Sequence, residues 1–239
     1  MRVTRWLGDA VGEAFSAVGR VRHGKPIHPH GELFRAEVAA GPETGTRSLR
    51  GLLGAPSAQV VVRLSKSAGL PGALPDVLGM AIRFPGLGEG GGPWDLLLAT
   101  TGRGVPGRFL LHLGRDWFRS TYTSLLPYRW AGETVVFAAL PDREGGTAPT
   151  AQVTREALRA VAGSGRAAFV LAVAPLTGSW RPLGRLRLRE PVPEADRPEF
   201  TFDPMVNGHP ALRPVPGWVA EVRRRVYARA QQGRRTAPL

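Results

Sequence analysis

Cysteine is absent from this chain of 239 residues, and lysine occurs only as Lys25 and Lys66. Without a thiol the chain cannot form disulfides, thiolate nucleophiles, iron–sulfur clusters or any other metal centre that cysteine holds. Nearly all of the positive charge behind the formal net charge of +13 is therefore arginine. Because alanine, glycine and proline are also abundant, this charge fits a genome-wide compositional bias at least as well as selection for a basic surface.

Motifs of nucleic-acid binding are missing as well. A large positive charge attracts nucleic acids. The sequence nevertheless contains no RNP-like aromatic segment, no helix-turn-helix pattern and no zinc-finger spacing. A basic nucleic-acid-binding protein stays open as an alternative that rests on net charge alone.

Long hydrophobic runs are also missing, since no stretch approaches the length of a membrane-spanning helix. The first residues, "MRVTRWLGDAVGEAFSAVG", carry apolar side chains at helical spacing. Asp9 and Glu13 interrupt what would be the apolar core of a signal peptide. We therefore expect an amphipathic helix over residues 1–20 of a cytoplasmic protein.

Strand patterns fill the middle of the chain. Six segments have the alternating or continuous apolar character of strands: "AQVVVRLS", "GMAIRFP", "WDLLLAT", "ETVVFAAL", "RAAFVLAVAPL" and "GRLRLREP". Helical spacing appears in "TREALRAVAG" and again over residues 214–233, where Gly233 ends the pattern. The sequence predicts a single α+β domain over residues 1–239, built as an antiparallel sheet or barrel with flanking helices.

Dedicated catalytic motifs are not found: there is no GxSxG elbow, phosphate-binding loop or HExxH pair. His28 and His30 could lie on one side of an extended segment, but no third zinc ligand is evident. We interpret His112 and His209 as structural or surface residues. The aromatic residues around "TSLLPYRW" are interpreted as core rather than as a substrate channel: Trp117, Phe118, Tyr122, Tyr128 and Trp130.

The spacing around Tyr227 suggests chemistry. Arg223 lies one helical turn before it, so a guanidinium can reach the phenol oxygen. A fixed positive charge that donates hydrogen bonds favours the ionised phenolate, and tyrosinate is a known axial ligand of haem iron. Taken alone, these residues fit an interfacial tyrosine among solvated arginines on a surface helix better than a haem ligand.

Four segments in order, from about His23 to Arg234, resemble the haem catalase superfamily. "FTFDPMVNGHPALRPVPGWVAEVRRRVYARAQQGRR" is similar to that family's proximal segment, in which F-D-P is followed by R-x-x-x-Y. The resemblance implies haem b as cofactor, with Tyr227 as the axial ligand of the iron. It also implies that Arg223 keeps Tyr227 ionised and that Arg234 pairs with a haem propionate.

Two further segments resemble the family's distal side. "IHPHGELFRAEV" is similar to V-H-A-K-G and its following strand, which implies that His28 is the distal catalytic histidine. "VVRLSKSAGLPGALPDVLGMAIRFP" resembles R-F-S followed by R-G-F-A-V-K-F, which implies a propionate partner in Arg63 and an orienting hydroxyl in Ser65. Lys25 stands where the family has another propionate arginine.

The fourth segment departs from the family. "WDLLLATTG" resembles W-D-L-V-G-N-N-T-P, but Ala99-Thr100 takes the place of the distal asparagine, so Thr100 is the candidate hydrogen-bonding residue. The chain is also much shorter than a standard catalase subunit, and we therefore expect it to lack the long N-terminal arm and the C-terminal helical region of that family. We expect a catalase-like barrel core and peroxidase-like chemistry, with hydrogen peroxide or an organic hydroperoxide and a small organic donor as partners.

Other functions stay open beside this one. A fatty-acid hydroperoxide isomerase or dehydratase of the allene oxide synthase type is an alternative, although those proteins tend to carry threonine where this chain has Ile27. A non-catalytic haem-binding protein is another. The sequence also leaves open whether the chain forms a homo-oligomer.

Overall fold

The computed structural model describes residues 30–42, 47–143, 148–199 and 201–215. The predicted helix over residues 1–20, and that over 214–233 beyond residue 215, lie outside the described residues. The strands are β1 His30–Ala40, β2 Ser57–Lys66, β3 Leu78–Phe84, β4 Trp94–Thr100, β5 Tyr122–Thr123, β6 Tyr128–Trp130, β7 Glu133–Pro141, β8 Ala168–Pro175, β9 Arg181–Pro191 and β10 Leu212–Pro214. The helices are α1 Leu49–Leu53 and α2 Arg155–Gly163, with 3-10 turns at Glu89–Gly91, Gly107–Phe109 and Glu194–Glu199.

Eight of the strands close into an antiparallel barrel. Their order around the barrel is β7-β5-β4-β3-β2-β1-β9-β8, and pairing of β8 with β7 closes the ring. The short strands β6 and β10 extend the sheet outward from β7. The predicted antiparallel barrel is therefore confirmed.

The barrel interior is filled by side chains, because alternate residues of each strand point inward. Phe34, Val62 and Ile82 come from three neighbouring strands and are fully buried. The aromatic group is part of the same core: Trp117, Phe118, Tyr122, Tyr128 and Trp130. Their interpretation as core is correct, and the packed interior leaves the outer face and the ends of the barrel for function.

Both helices begin at side-chain caps. Ser48 accepts a hydrogen bond from the Gly51 amide at the start of α1, and Thr154 accepts one from the Ala157 amide at the start of α2. Gly54 ends α1 in the left-handed conformation that glycine adopts most readily. Among the described residues, no helix combines the length and the apolar character needed to cross a membrane.

Candidate functional site

Arg63 and Ser65 lie two residues apart on β2 and therefore share its outer face, opposite the inward-pointing Val62 and Leu64. Ser65 is 5% exposed, although it points away from the barrel interior. Strand alternation thus brings together two of the residues that the sequence assigned to one site.

The row of the sheet that contains Ser65 has only small residues on its outer face. The strand register places Gly31, Ser65, Gly79 and Ala99 directly side by side across β1, β2, β3 and β4. We call these four residues the small-residue platform. Two of them lack a Cβ atom and the other two have short side chains, so none of these four residues projects a bulky group from the barrel.

Arg63 lies beside this platform, over the start of β1. A Cβ atom at Gly31 would lie 2.6 Å from Arg63 Nε and 3.1 Å from Arg63 Nη2. The guanidinium can therefore lie against the backbone of β1 only because residue 31 is glycine. A positive charge is in this way held at the edge of the platform.

Ala99 and Thr100 occupy opposite faces of β4. Ala99 belongs to the platform, whereas the Thr100 hydroxyl donates to the His112 carbonyl at 2.6 Å and accepts from the Leu78 amide at 3.0 Å. Thr100 is 1% exposed. The strand alternation thus does not bring Thr100 to the face that carries Arg63 and Ser65, and its hydroxyl already bonds to the backbone.

Five residues predicted for the site lie outside the described residues, and their roles stay predictions: Lys25, His28, Arg223, Tyr227 and Arg234. Among the residues that the structure does describe, no group of three or more histidine, aspartate or glutamate side chains could hold a metal ion.

A buried carboxylate that the sequence did not single out anchors the segment leading toward Tyr227. Asp95 forms a two-point ion pair with Arg83, at 2.8 and 2.7 Å. It also accepts from the Asp203 amide at 2.8 Å and from Asn207 Nδ2 at 2.7 Å. Because Asp95 and Ala99 share the outer face of β4, this clamp fixes residues 203–207 on the same face as the platform. The F-D-P motif was the only sequence signal for it.

Glu32 forms a second buried centre of charge, at the start of β1. It is 1% exposed, and it lies 2.9 Å from Arg159, 3.1 Å from Arg197 and 3.3 Å from Arg155. These arginines come from α2 and from the turn Glu194–Glu199. These ion pairs join the start of β1, which His28 precedes in the sequence, to α2 and to the turn Glu194–Glu199.

Lys66 fixes the loop between β2 and β3. Its Nζ donates to the carbonyls of Gly72 and Leu74, at 3.0 Å each. Burial lowers the pKa of Lys66, and the nearby Asp76 opposes that shift. Asp76 in turn accepts from the amides of Ala68 and Leu70. This pair holds the loop at the platform end of the barrel.

His112 and His209 lie in different environments. His112 is exposed, whereas His209 is buried and packs edge-on against Trp94. The His209 ring accepts from the Ala211 amide at Nδ1, and its Nε2 lies 3.1 Å from the Leu52 carbonyl. Burial lowers the pKa of His209, and the bond to Leu52 opposes that shift. His209 is therefore a structural residue.

Comparison with known sequences gives no match: neither a family model nor a curated protein matches this chain. Solved structures do match. Catalase A from Saccharomyces cerevisiae aligns with a TM-score of 0.62 at 13% identity, over 92% of this chain and 63% of that chain. A bacterial catalase aligns with a TM-score of 0.58 at 16% identity, over 92% of this chain and 59% of its own. A fungal catalase aligns with a TM-score of 0.56 at 14% identity, over 87% and 59%.

The chain thus spans less than two thirds of the length of each of these catalases. Identities of 13% to 16% carry information on the fold and not on a particular activity. The closed antiparallel barrel, its strand order and these alignments agree, and the chain has a catalase-like fold.

Proposed function

We propose that this chain is a haem-dependent oxidoreductase that uses peroxides, with peroxidase-like activity and weak or no catalase activity. The observation that carries the proposal is the small-residue platform with Arg63 at its edge, on a barrel of catalase-like fold. A row of small residues suits the close approach of a flat macrocycle. A guanidinium at its edge suits one of the macrocycle's carboxylates, since arginine pairs with carboxylates in two-point geometry.

The residues that would hold haem b come from both ends of the chain. Tyr227 would hold the haem iron through its phenolate oxygen, and Arg223 would keep that oxygen anionic. Arg63, Arg234 and Lys25 would neutralise the two propionates. The clamp at Asp95 supports this assignment, because it holds residues 203–207, upstream of Tyr227, on the platform face.

Haem, when bound, supplies the redox centre at which the O–O bond of a peroxide is cleaved. His28 would take a proton from the attacking peroxide oxygen and return it to the leaving oxygen, because imidazole titrates near neutral pH. The Ser65 hydroxyl would orient that ring. In sum, one peroxide takes up two electrons and two protons from an organic donor and yields water and an alcohol, or two waters from hydrogen peroxide.

Ala99 explains why donor oxidation is favoured over dismutation in this proposal. It occupies the platform position where the resembling segment of catalases carries asparagine, and a methyl group donates no hydrogen bond. A second peroxide molecule is therefore held less well in this proposal.

The visible spectrum gives the first test. We expect a Soret band after expression with haem supplied, and Tyr227→Phe should weaken or abolish it. Tyr128→Phe is the matched control, because it changes another of the three tyrosines and keeps the ring in the core. Absence of the band in the unmodified protein would overturn every haem-based function.

Product analysis gives the second test, on haem-loaded protein. We expect oxidation of phenolic or dye donors by peroxide, with little oxygen release. Rapid oxygen evolution without donor oxidation would show a catalase instead. Rearrangement of a fatty-acid hydroperoxide without consumption of a donor would instead favour a hydroperoxide isomerase.

A further inference from the structure

We propose that the barrel carries a second binding site, unconnected with haem, for a small organic carboxylate with an apolar body. The site is a depression of about 670 Å³ on the outer face, between the ends of β1, β7 and β9. We call it the arginine pocket and define it by Arg103, Asp142, Arg143, Val170, Leu183 and Arg185.

An irregularity in β9 shapes the floor of the arginine pocket. The pairing of β8 with β9 passes from Leu171–Gly184 to Ala172–Pro182, so that Leu183 is an extra residue in β9. At Gly184 the chain approaches β1 so closely that a Cβ atom would lie 2.3 Å from the Ala39 carbonyl oxygen. Such bulges bend a strand and are frequent next to binding sites.

The charges of the pocket are positive in excess. Arg185 forms an ion pair with Asp142, which is only 6% exposed. Arg103 and Arg143 have no ion pair within the part of the chain that the structure describes. Among the lining residues that the structure describes, three guanidinium groups and one carboxylate leave a surplus of two positive charges.

The apolar part of the lining comes from strand residues beneath these charges. Val170 belongs to a satellite cluster on the outer face, together with Ala138, Leu140 and Trp180. Trp180 Nε1 donates to the Arg103 carbonyl at 2.8 Å, and the Arg108 guanidinium lies 4.5 Å from the centre of its ring. Trp180 therefore fixes the segment that carries Arg103, since it contacts both the Arg103 backbone and the Arg108 side chain.

These features select one class of ligand. The volume lies within the range of about 300 to 1,000 Å³ that small-molecule sites occupy. Cationic groups at the rim favour an anionic head, because arginine donates charge-assisted hydrogen bonds to carboxylates. An apolar floor favours a ligand with a hydrocarbon body, because an inorganic anion would make no favourable apolar contact with it. A medium-chain monocarboxylate satisfies both requirements.

Octanoate is a suitable probe, with the Trp180 indole as reporter. We expect a saturable shift of the Trp180 indole N–H signal in ¹⁵N-labelled protein titrated with octanoate, identified among the six tryptophans by Trp180→Phe. Octanamide, which has the same body without the charge, should bind at least about fivefold more weakly. Equal affinity for octanoate and octanamide would overturn the proposal.

Arginine variants locate the binding. Arg143→Gln and Arg103→Gln should each weaken octanoate binding about fivefold, the effect of losing one partly screened charge-assisted contact. Arg119→Gln is the matched control, since Arg119 is exposed and does not line the pocket. Arg63→Gln should also leave octanoate binding unchanged, which separates this site from the proposed haem site. The proposed carboxylate site would be refuted if Arg143→Gln bound octanoate with unchanged affinity. It would also be refuted if octanoate caused no saturable shift of the Trp180 signal.

Discussion

At the scale of the residue, Ala99 and Thr100 show how strand alternation separates neighbours. Thr100 faces the barrel core and bonds to two backbone groups. We predict that Thr100→Val lowers the free energy of unfolding by about 1 to 3 kcal/mol, because it leaves the Leu78 amide and the His112 carbonyl without this partner. Urea denaturation measures this change.

The exposed Thr150 provides the control for that experiment, since Thr150→Val should change stability by less than about 0.5 kcal/mol. Donor oxidation by haem-loaded Thr100→Val should match that of the unmodified protein. Lost activity at unchanged stability would instead assign Thr100 the catalytic role that the sequence predicted.

At Ala99 the experiment adds a hydrogen-bonding group instead of removing one, and it rests on the proposed function. Ala99→Asn places an amide donor on the platform, next to Gly79 and in the row that contains Ser65. We predict that oxygen evolution from hydrogen peroxide rises at least about tenfold in the haem-loaded variant, the effect of one well-placed hydrogen-bond donor. Ala81→Asn, on the same face in the next row, should give no such rise. Equal rates in the two variants would contradict this prediction.

His209 gives a prediction about pH. Its Nδ1 accepts a hydrogen bond, so protonation there breaks a contact with the Ala211 amide. Burial holds the folded pKa below the ordinary value of 6.5, and the unfolded chain therefore binds the proton more tightly. The stability due to neutral His209 is fully present above about pH 6.5 and is lost as the pH falls through the folded pKa.

Denaturation at a series of pH values between about 7.5 and 5 tests this. We expect stability to fall more steeply with decreasing pH in the unmodified protein than in His209→Gln, which cannot take up that proton. Parallel curves for the two proteins would show that another group carries the dependence.

At the scale of the element, the Asp95 clamp joins strands β3 and β4 to the segment 203–207. The Asp95 side chain is fully buried, and that of Arg83 is 14% exposed. We predict that Asp95→Asn lowers the free energy of unfolding by about 3 kcal/mol, because it leaves a largely buried guanidinium without its carboxylate. The pair of Arg35 and Glu190 is the control: both side chains are more than half exposed, and Glu190→Gln should cost less than about 1 kcal/mol.

The clamp also has a prediction for function. Since it holds the segment that leads toward Tyr227, Asp95→Asn should lower haem retention as well as stability, whereas Glu190→Gln should lower neither. Haem retention is measured from the Soret band after gel filtration. Full retention in Asp95→Asn would separate the clamp from the proposed site.

Sequence patterns predicted the long elements and missed the short ones. Strands β1, β2, β3, β4, β7, β8 and β9 each contain enough residues to show a pattern, and all were predicted. Strands β5, β6 and β10 have two or three residues, and helix α1 has five, which is too few for periodicity to show. Closure of the barrel through β7 and β8 depends on the whole set of strands and has no local signal.

Site prediction had a similar limit. Arg63 and Ser65 share a face because they are two residues apart, which a sequence shows directly. Which of Ala99 and Thr100 shares that face depends on register, which only the structure gives. Glu32 and Asp95 were missed because their partners are far away in the chain, at Arg159, Arg197 and Asp203.

At the scale of the whole molecule, a filled barrel restricts where ligands can bind. Side chains from every wall occupy the interior, and both proposed sites lie on the outer face. The two sites use different strand ends: the platform crosses β1 to β4, and the arginine pocket lies where β1, β7 and β9 end. Substitutions in one should therefore leave the other unchanged, since they share no side chain.

The pairing of β1 with β9 has a consequence for biosynthesis. β1 pairs with β2 on one side and with β9 on the other, and β9 leaves the ribosome only after all seven of the other barrel strands. Until then the barrel strands can form only an open sheet, with free edges at β1 and β8 and an uncovered apolar face. Such open intermediates are prone to aggregation, and we therefore expect the yield of folded protein to rise when chaperones are co-expressed.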